Sequence, residues 1–451
     1  MNLLRDFRQP LNQSFRILFV FFLLLSTGIT QAQVKVILDT DPSFDPDDAG
    51  CMAMLHTLAN QGKCEILAMV NSTNHKESSM AISAINHFYS RKAIPVGDYK
   101  GYAEKVDAPE NTYDGHLARK YTHSIKSVDE ALDGVKLYRE VLASAADRSI
   151  TVVIIGTMHN FYGLLKSAPD QWSDLDGEAL VAKKVAQVVT MGGNFIDGKG
   201  LDRTNWGGAE ELCSYTDWSC VREERNRMCR YVIEHCPAPF IASGWEVGCG
   251  DYYNANYGNV ITGQSLKFLP ADHIIRRSYE YHFDFRGGSE DISRHSNDQC
   301  ALHYAILGES NNYVARTNGK INLSEKGVCL WEEQKGGVQG YIQKKRHKDE
   351  IAKEIEALMM GEVMAEDNSQ PTAPKNIQYI TRNGKSVLIW EPGTDTSPGS
   401  WVVGYQLYVD GKPIARLNGT QYVGNLPKGD VELRSINVNG LESEPTSFAM
   451  N

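Results

Sequence analysis

Five carboxylates stand within ten residues of one another early in the chain: Asp39, Asp41, Asp45, Asp47 and Asp48. They follow an apolar run at residues 36–38 and precede Ala49, Met52, Ala53, Leu55 and Leu58 at helical spacing. The run reads as a buried strand and the later residues as an amphipathic helix, so the acids sit on a strand-to-helix turn. In open α/β sheets ligands bind there, outside the carboxyl ends of the strands, and a helix N-terminus favours the negative charge of Asp47 and Asp48. Carboxylates sharing one crevice repel one another unless a cation or protons intervene. A set made of oxygens suits Ca²⁺ or Mg²⁺ rather than zinc. The plainer alternative is an Asp-rich cap and turn that binds nothing.

Holding such a cluster requires a sheet. Strand-like runs at 36–38, 65–70, 150–155, 185–191 and 239–243 alternate with helical patterns after Asp48 and around 80–89, 131–145, 300–307 and 348–360. This predicts an α/β domain with a mostly parallel open sheet and helices on both faces. A short strand is expected at 94–96. Residues 101–127, polar and rich in Tyr and His, are expected to form a long loop near the site. Further strand exits open at Gly156-Thr157-Met158-His159-Asn160 and Gly192-Gly193-Asn194, and Asp298 opens another apolar helix. Residues 362–374, with Pro371 and Pro374, read as a linker. From 375 to 451, short alternating runs separated by Asp410-Gly411, Asn418-Gly419 and Asn439-Gly440 predict a small all-β sandwich. That sandwich has no acid or histidine constellation, which leaves it a packing, spacer or attachment role.

The remaining features bound the class of protein. Residues 1–33 carry Arg5, Arg8 and Arg16, an apolar run at 17–25 and the small-residue end Thr30-Gln31-Ala32. They read as a secretory signal peptide, so the mature protein is expected in the periplasm or outside the cell. The run is short for a membrane span and no longer one follows. A net charge of -10 gives no basic footprint for nucleic acid, and small-molecule partners fit better. Of nine cysteines, Cys213, Cys220, Cys229 and Cys236 crowd one segment and are expected to form one or two disulfides. Zinc is the lesser alternative, because close Cys-x-x-Cys pairs are missing. Cys51 and Cys300 read as buried small hydrophobes.

The stretch 34–361 resembles the inosine-uridine-preferring nucleoside hydrolase family. The resemblance rests on Asp39-Thr40-Asp41-Pro42-Ser43-Phe44-Asp45-Pro46-Asp47-Asp48-Ala49, on Met191-Gly192-Gly193 ahead of Asn205 and Glu211, and on Asp298 opening a helix. The first motif is two residues longer than the family's and lacks its glycine, which is similar to the exported branch. The tail resembles a fibronectin type III domain. The family resemblance implies a Ca²⁺ cofactor held by Asp41, Asp48, Asp298 and the main-chain carbonyl of His159. It implies Asp41 as catalytic base and Asp47, Asn74, Asn205 and Glu211 as ribose contacts. Many relatives are homo-oligomers, so self-association is an expectation too. Two departures concern the substrate: Cys213 stands where the family has a sugar-contacting asparagine, and Asn297 where it has a histidine tied to protonating the leaving base.

The leading expectation is therefore Ca²⁺-dependent hydrolysis of the N-glycosidic bond of a nucleoside or related N-riboside. One alternative is a non-catalytic sugar- or nucleoside-binding protein on the same scaffold. Another is a hydrolase of a different glycoside using paired carboxylates without metal.

Overall fold

A computed structural model of the chain describes residues 33–89, 91–92, 94–196, 199–202, 205–207, 219–250, 258–285, 287–361, 369–382, 385–395, 402–417, 421–437 and 441–450. Residues 1–32 of the signal-peptide stretch, Glu211, Cys213, the Cys220 side chain, residues 362–368 of the linker and the Asn418-Gly419 and Asn439-Gly440 turns lie outside the described residues.

The first half alternates strand and helix: β1 (Val34–Thr40), α1 (Asp47–Asn60), β2 (Cys64–Asn71), α2 (Ser78–Phe88), β3 (Val96–Asp98), α3 (Tyr113–Lys120), β4 (Leu132–Asp133), α4 (Gly134–Ser144), β5 (Ile150–Ile154), α5 (His159–Leu165), α6 (Gly177–Lys184) and β6 (Val185–Met191). There follow β7 (Lys199–Leu201), α7 (Ser219–His235), β8 (Phe240–Ser243), α8 (Trp245–Gly248), β9 (Ile261–Thr262), α9 (Ile274–Asp284), β10 (Arg294–His295) and α10 (Asn297–Leu307). β11 (Tyr313–Leu323), β12 (Val328–Glu333), β13 (Gln339–Lys344) and α11 (Lys348–Met359) complete this part. Eleven strands form one sheet in the order β4-β3-β2-β1-β5-β6-β8-β13-β11-β12-β7. Pairing is parallel from β4 to β13 and antiparallel beyond it.

Side-chain alternation explains the two helical layers, because successive strand residues point to opposite faces. In β1, Val36 and Leu38 join one apolar cluster and Ile37 the other; in β5, Val153 joins the first and Val152 and Ile154 the second. α1, α2, α9, α10 and α11 cover the first face, and α4 to α7 the second. Strands buried on both faces read as continuous apolar runs, which is why they were legible in the sequence. α1 departs from the amphipathic expectation: residues 47–58 are all buried. It packs against α10 and α11 as well as the sheet, and a helix enclosed on all sides needs no polar stripe.

Two other expectations change. The stretch 101–127 is not one irregular loop, since α3 forms within it and buries Tyr113 and Leu117, one helical turn apart, against α2. Cys229 and Cys236 are free, buried thiols. Seven residues along a helix is about 10 Å, farther than a disulfide spans. Cys51 and Cys300 are fully buried, as small apolar residues would be.

At the C-terminus, β14 (Lys375–Arg382), β15 (Lys385–Glu391), β16 (Val402–Val409), β17 (Lys412–Leu417), β18 (Gln421–Gly424), β19 (Gly429–Asn437) and β20 (Thr446–Met450) form two antiparallel sheets. Their orders are β14-β15-β18 and β17-β16-β19-β20. Leu388 and Trp390 of the first sheet share a core with Tyr405, Leu407, Val431 and Leu433 of the second. Among the described residues no helix is long and apolar enough to cross a membrane.

Candidate functional site

β1 is flanked by β2 on one side and β5 on the other, and the chain fills the sheet outward from it in both directions. Ligands of open parallel sheets bind at such a switch point, in the crevice beyond the strand ends. The acidic turn leaves β1 at this point.

Its first residue is not part of the crevice. Asp39 is fully buried, accepting from Tyr138 Oη and Asn160 Nδ2 at 3.2 Å each, while its carbonyl accepts from Ile155 and Gly156 N–H. It clamps β1 to α4, α5 and the β5 exit. Asp48 is fixed from behind by the Thr40 hydroxyl at 2.5 Å and the Asp41 N–H at 3.1 Å, both on Oδ1. Gly156 makes the close passage of β1 and β5 possible, because a Cβ there would lie 2.8 Å from Asp41 N.

Asp47 and Asp48, in the first turn of α1, meet Asp298, in the first turn of α10. Each offers an oxygen, the three oxygens lie within 4.8 Å of one another, and all three residues are buried. Burial raises all three carboxyls well above their ordinary range, and neighbouring acids raise them further: Asp45 and Asp48 for Asp47, Asp41 for Asp48, and Asp47 and Asp48 for Asp298. This donor set fits a hard divalent cation. Two oxygens on one calcium at roughly 2.3–2.6 Å cannot be more than about 5 Å apart, and the charge of the ion removes the repulsion.

Asp41 stands beside this group rather than in it; its main-chain N–H faces Asp48. Burial pushes its carboxyl up to about 6, against the opposing charge of Arg225 on α7. His159 opens α5, with Nδ1 2.7 Å from Thr157 Oγ1 and its ring 5.1 Å from those of Tyr99 and Tyr102. Burial, helped by Arg225 and Lys105, pushes it down to about 3, so the imidazole is neutral. Tyr102 Oη in turn donates to Ser72 O at 2.7 Å, closing the wall beside the β2 exit.

The expected sugar contacts are spread more widely. Asn74 is half-buried beyond β2, with its carbonyl taken by Val106 N–H. Asn205 Nδ2 donates to Ile155 O, which places its side chain at the β5 exit. Asn297 directs Nδ2 to Cys249 Sγ at 3.3 Å and leaves Oδ1 buried without a hydrogen bond among the described residues. Asp45, Arg294, Arg225 and Tyr102 went unassigned in the sequence. Arg294 and Arg225 carry no local signal, since what makes them relevant is a partner far away in the chain.

No protein family matches this sequence, and no curated protein matches it either. Among solved structures, a plant nucleoside hydrolase is similar at 17% identity and a TM-score of 0.49, covering 72% of this chain and 98% of that one. An inosine-guanosine nucleoside hydrolase gives 16% and 0.49, again over 72% and 98%. A purine-preferring ribonucleoside hydrolase from Gardnerella vaginalis gives 12% and 0.49 over the same shares. At these identities function has to be argued from the residues.

Proposed function

We propose that this protein is a calcium-dependent N-ribohydrolase that cleaves the N-glycosidic bond of a ribonucleoside or related N-riboside, releasing base and ribose. The observation that carries the reading is the meeting of Asp47, Asp48 and Asp298 at the switch point, with Asp41 alongside. Asp48 and Asp298 are the side chains that would hold calcium, with Asp41 and the His159 main chain at its edge and Asp47 shared with the ribose. Calcium there would lower the pKa of an adjacent water.

The chain supplies the rest. Burial pushes the Asp41 carboxyl up to about 6 in the metal-free site, and at neutral pH, where it is ionised, Asp41 would take the proton of the attacking water. Asp47, Asn74, Asn205 and Glu211 would engage the ribose and fix its C1′ within reach of that water. Positive charge builds on the sugar ring as the bond to the base breaks, and the carboxylates around it stabilise that charge. Tyr102 and the neutral His159 narrow the site against bulk water.

Asn297 favours a second reading, a nucleoside- or sugar-binding protein without turnover. Its amide nitrogen is spent on Cys249, and an amide is no proton donor to a departing base. Asp41→Asn separates the two: on the hydrolase reading it abolishes base release and leaves nucleoside binding in place. Base release that survives the substitution refutes the assignment, and a wild type that binds nucleosides without releasing base supports the second reading. We also infer export guided by residues 1–33, and a fibronectin type III-like role as spacer or attachment module for residues 375–451.

A further inference from the structure

The acidic turn holds a fifth carboxylate, Asp45, that neither the metal nor the sugar reading employs. Arg294 takes both its oxygens, Nε to Oδ1 at 2.8 Å and Nη2 to Oδ2 at 2.6 Å. Such fork-to-fork pairing fixes geometry as well as charge. The residues around Asp45 are gripped too: Tyr113 N–H donates to Ser43 O at 2.9 Å, and His282 Nδ1 lies 2.6 Å from Phe44 O. Arg294 sits on β10, which runs through Ser296 directly into α10 and Asp298. Asp45 leads as directly into α1 and Asp47. The ion pair therefore joins the two chain segments whose carboxylates converge, and its side chains are only 28% and 37% exposed.

We propose that the Asp45–Arg294 pair is a positioning latch that holds Asp47 and Asp48 on one segment and Asp298 on the other at the spacing a divalent cation needs. This rests on the metal-site reading above. Neither residue of the pair is a ligand. Simple electrostatics and the latch predict opposite signs for one substitution. Removing the positive Arg294 would by charge alone tighten cation binding, whereas loss of the latch weakens it. A latch also makes the two residues non-additive, so that losing both does no more harm than losing either.

The test is amide hydrogen exchange on the metal-free full chain, with calcium calorimetry alongside, for the wild type, Arg294→Gln, Asp45→Asn, their double variant and Arg294→Lys. Exchange should rise in both 41–48 and 294–300 in either single variant. Calcium affinity should fall about 10-fold in each, with no further loss in the double variant, as for an outer-shell partner. Arg294→Lys, which keeps the charge and loses the fork, should recover part of the loss. Tighter calcium binding in Arg294→Gln, or faster exchange confined to the substituted segment, overturns the latch. A wild type that takes up no calcium defeats the metal-site reading instead, and the exchange pattern still decides the latch.

Discussion

Asp298 and Asp48 belong to helices that open far apart in the chain, yet carboxylate oxygens of the two lie within 4.8 Å, with an oxygen of Asp47 in the same group. Three buried acids this close are held together against their own repulsion, which is the arrangement a cation relieves. Asp48→Asn or Asp298→Asn should therefore weaken calcium binding by more than the roughly 10–100-fold typical of outer-shell partners. Calorimetry on variants whose circular dichroism matches the wild type measures this, and unchanged affinity would remove either residue from the metal site.

The same carboxyls set an unusual pH dependence. Burial and neighbouring acids raise Asp47, Asp48 and Asp298 well above 3.8, and Asp41 to about 6. An acid whose pKa is raised by folding contributes stability that is complete below its unfolded value and is lost as pH climbs through the folded one. Metal-free wild type should thus lose melting temperature relative to metal-free Asp41→Asn as pH rises from about 4 past about 6, a comparison in which the buried histidines held low by burial, His56 and His159 among them, act equally on both proteins. Saturating calcium should flatten that slope. Melting curves of both proteins with chelator and with calcium test both halves, and a metal-free wild type that gains on the variant over this range contradicts the account.

Gly156 gives a prediction for the backbone beneath the site. An alanine Cβ would come 2.5 Å from Ser72 Oγ and 2.8 Å from both Asp41 N and Thr40 C. Backbone has to move to admit it, so Gly156→Ala should cost about 1–3 kcal/mol in urea unfolding. It should also weaken calcium binding, because Asp41 N–H is one of the two donors holding Asp48. Wild-type values for both would show that the β1 and β5 exits have slack there.

Arg139 provides the contrast. Its guanidinium, 2% exposed, bonds Asp170 in bidentate fashion, Ser167 Oγ, and the carbonyls of Ser173 and Leu175. Arg139→Met should destabilise the domain by roughly 2–4 kcal/mol, through acceptors left without a donor. Calcium affinity of the folded fraction should be unchanged. A selective loss of affinity would mean that this network reaches the site.

Which features were legible follows from their range. β1, β5 and β6 show as apolar runs because both faces are buried, and Asp48 and Asp298 stand out as acids opening apolar helices. α3 was hidden inside a polar stretch because its Asp114 is buried by pairing with His75 Nδ1 at 2.9 Å and Ser78 Oγ at 2.7 Å. No local pattern reveals such a partner. For Cys229 and Cys236 the spacing misled for a related reason: pairing needs a particular three-dimensional separation, and these two lie along one helical run that keeps them apart. Asp45 and Arg294 are each unremarkable in sequence and acquire meaning through their contact.

The central claim is tested most directly by incubating the purified chain with a panel of purine and pyrimidine ribonucleosides and measuring free base, with calcium and with chelator. The account predicts base and ribose in equal amounts from at least one nucleoside with calcium, loss of that activity with chelator, and its return when calcium is restored. Base release that persists undiminished in chelator, or no release from any nucleoside with calcium bound, would contradict it.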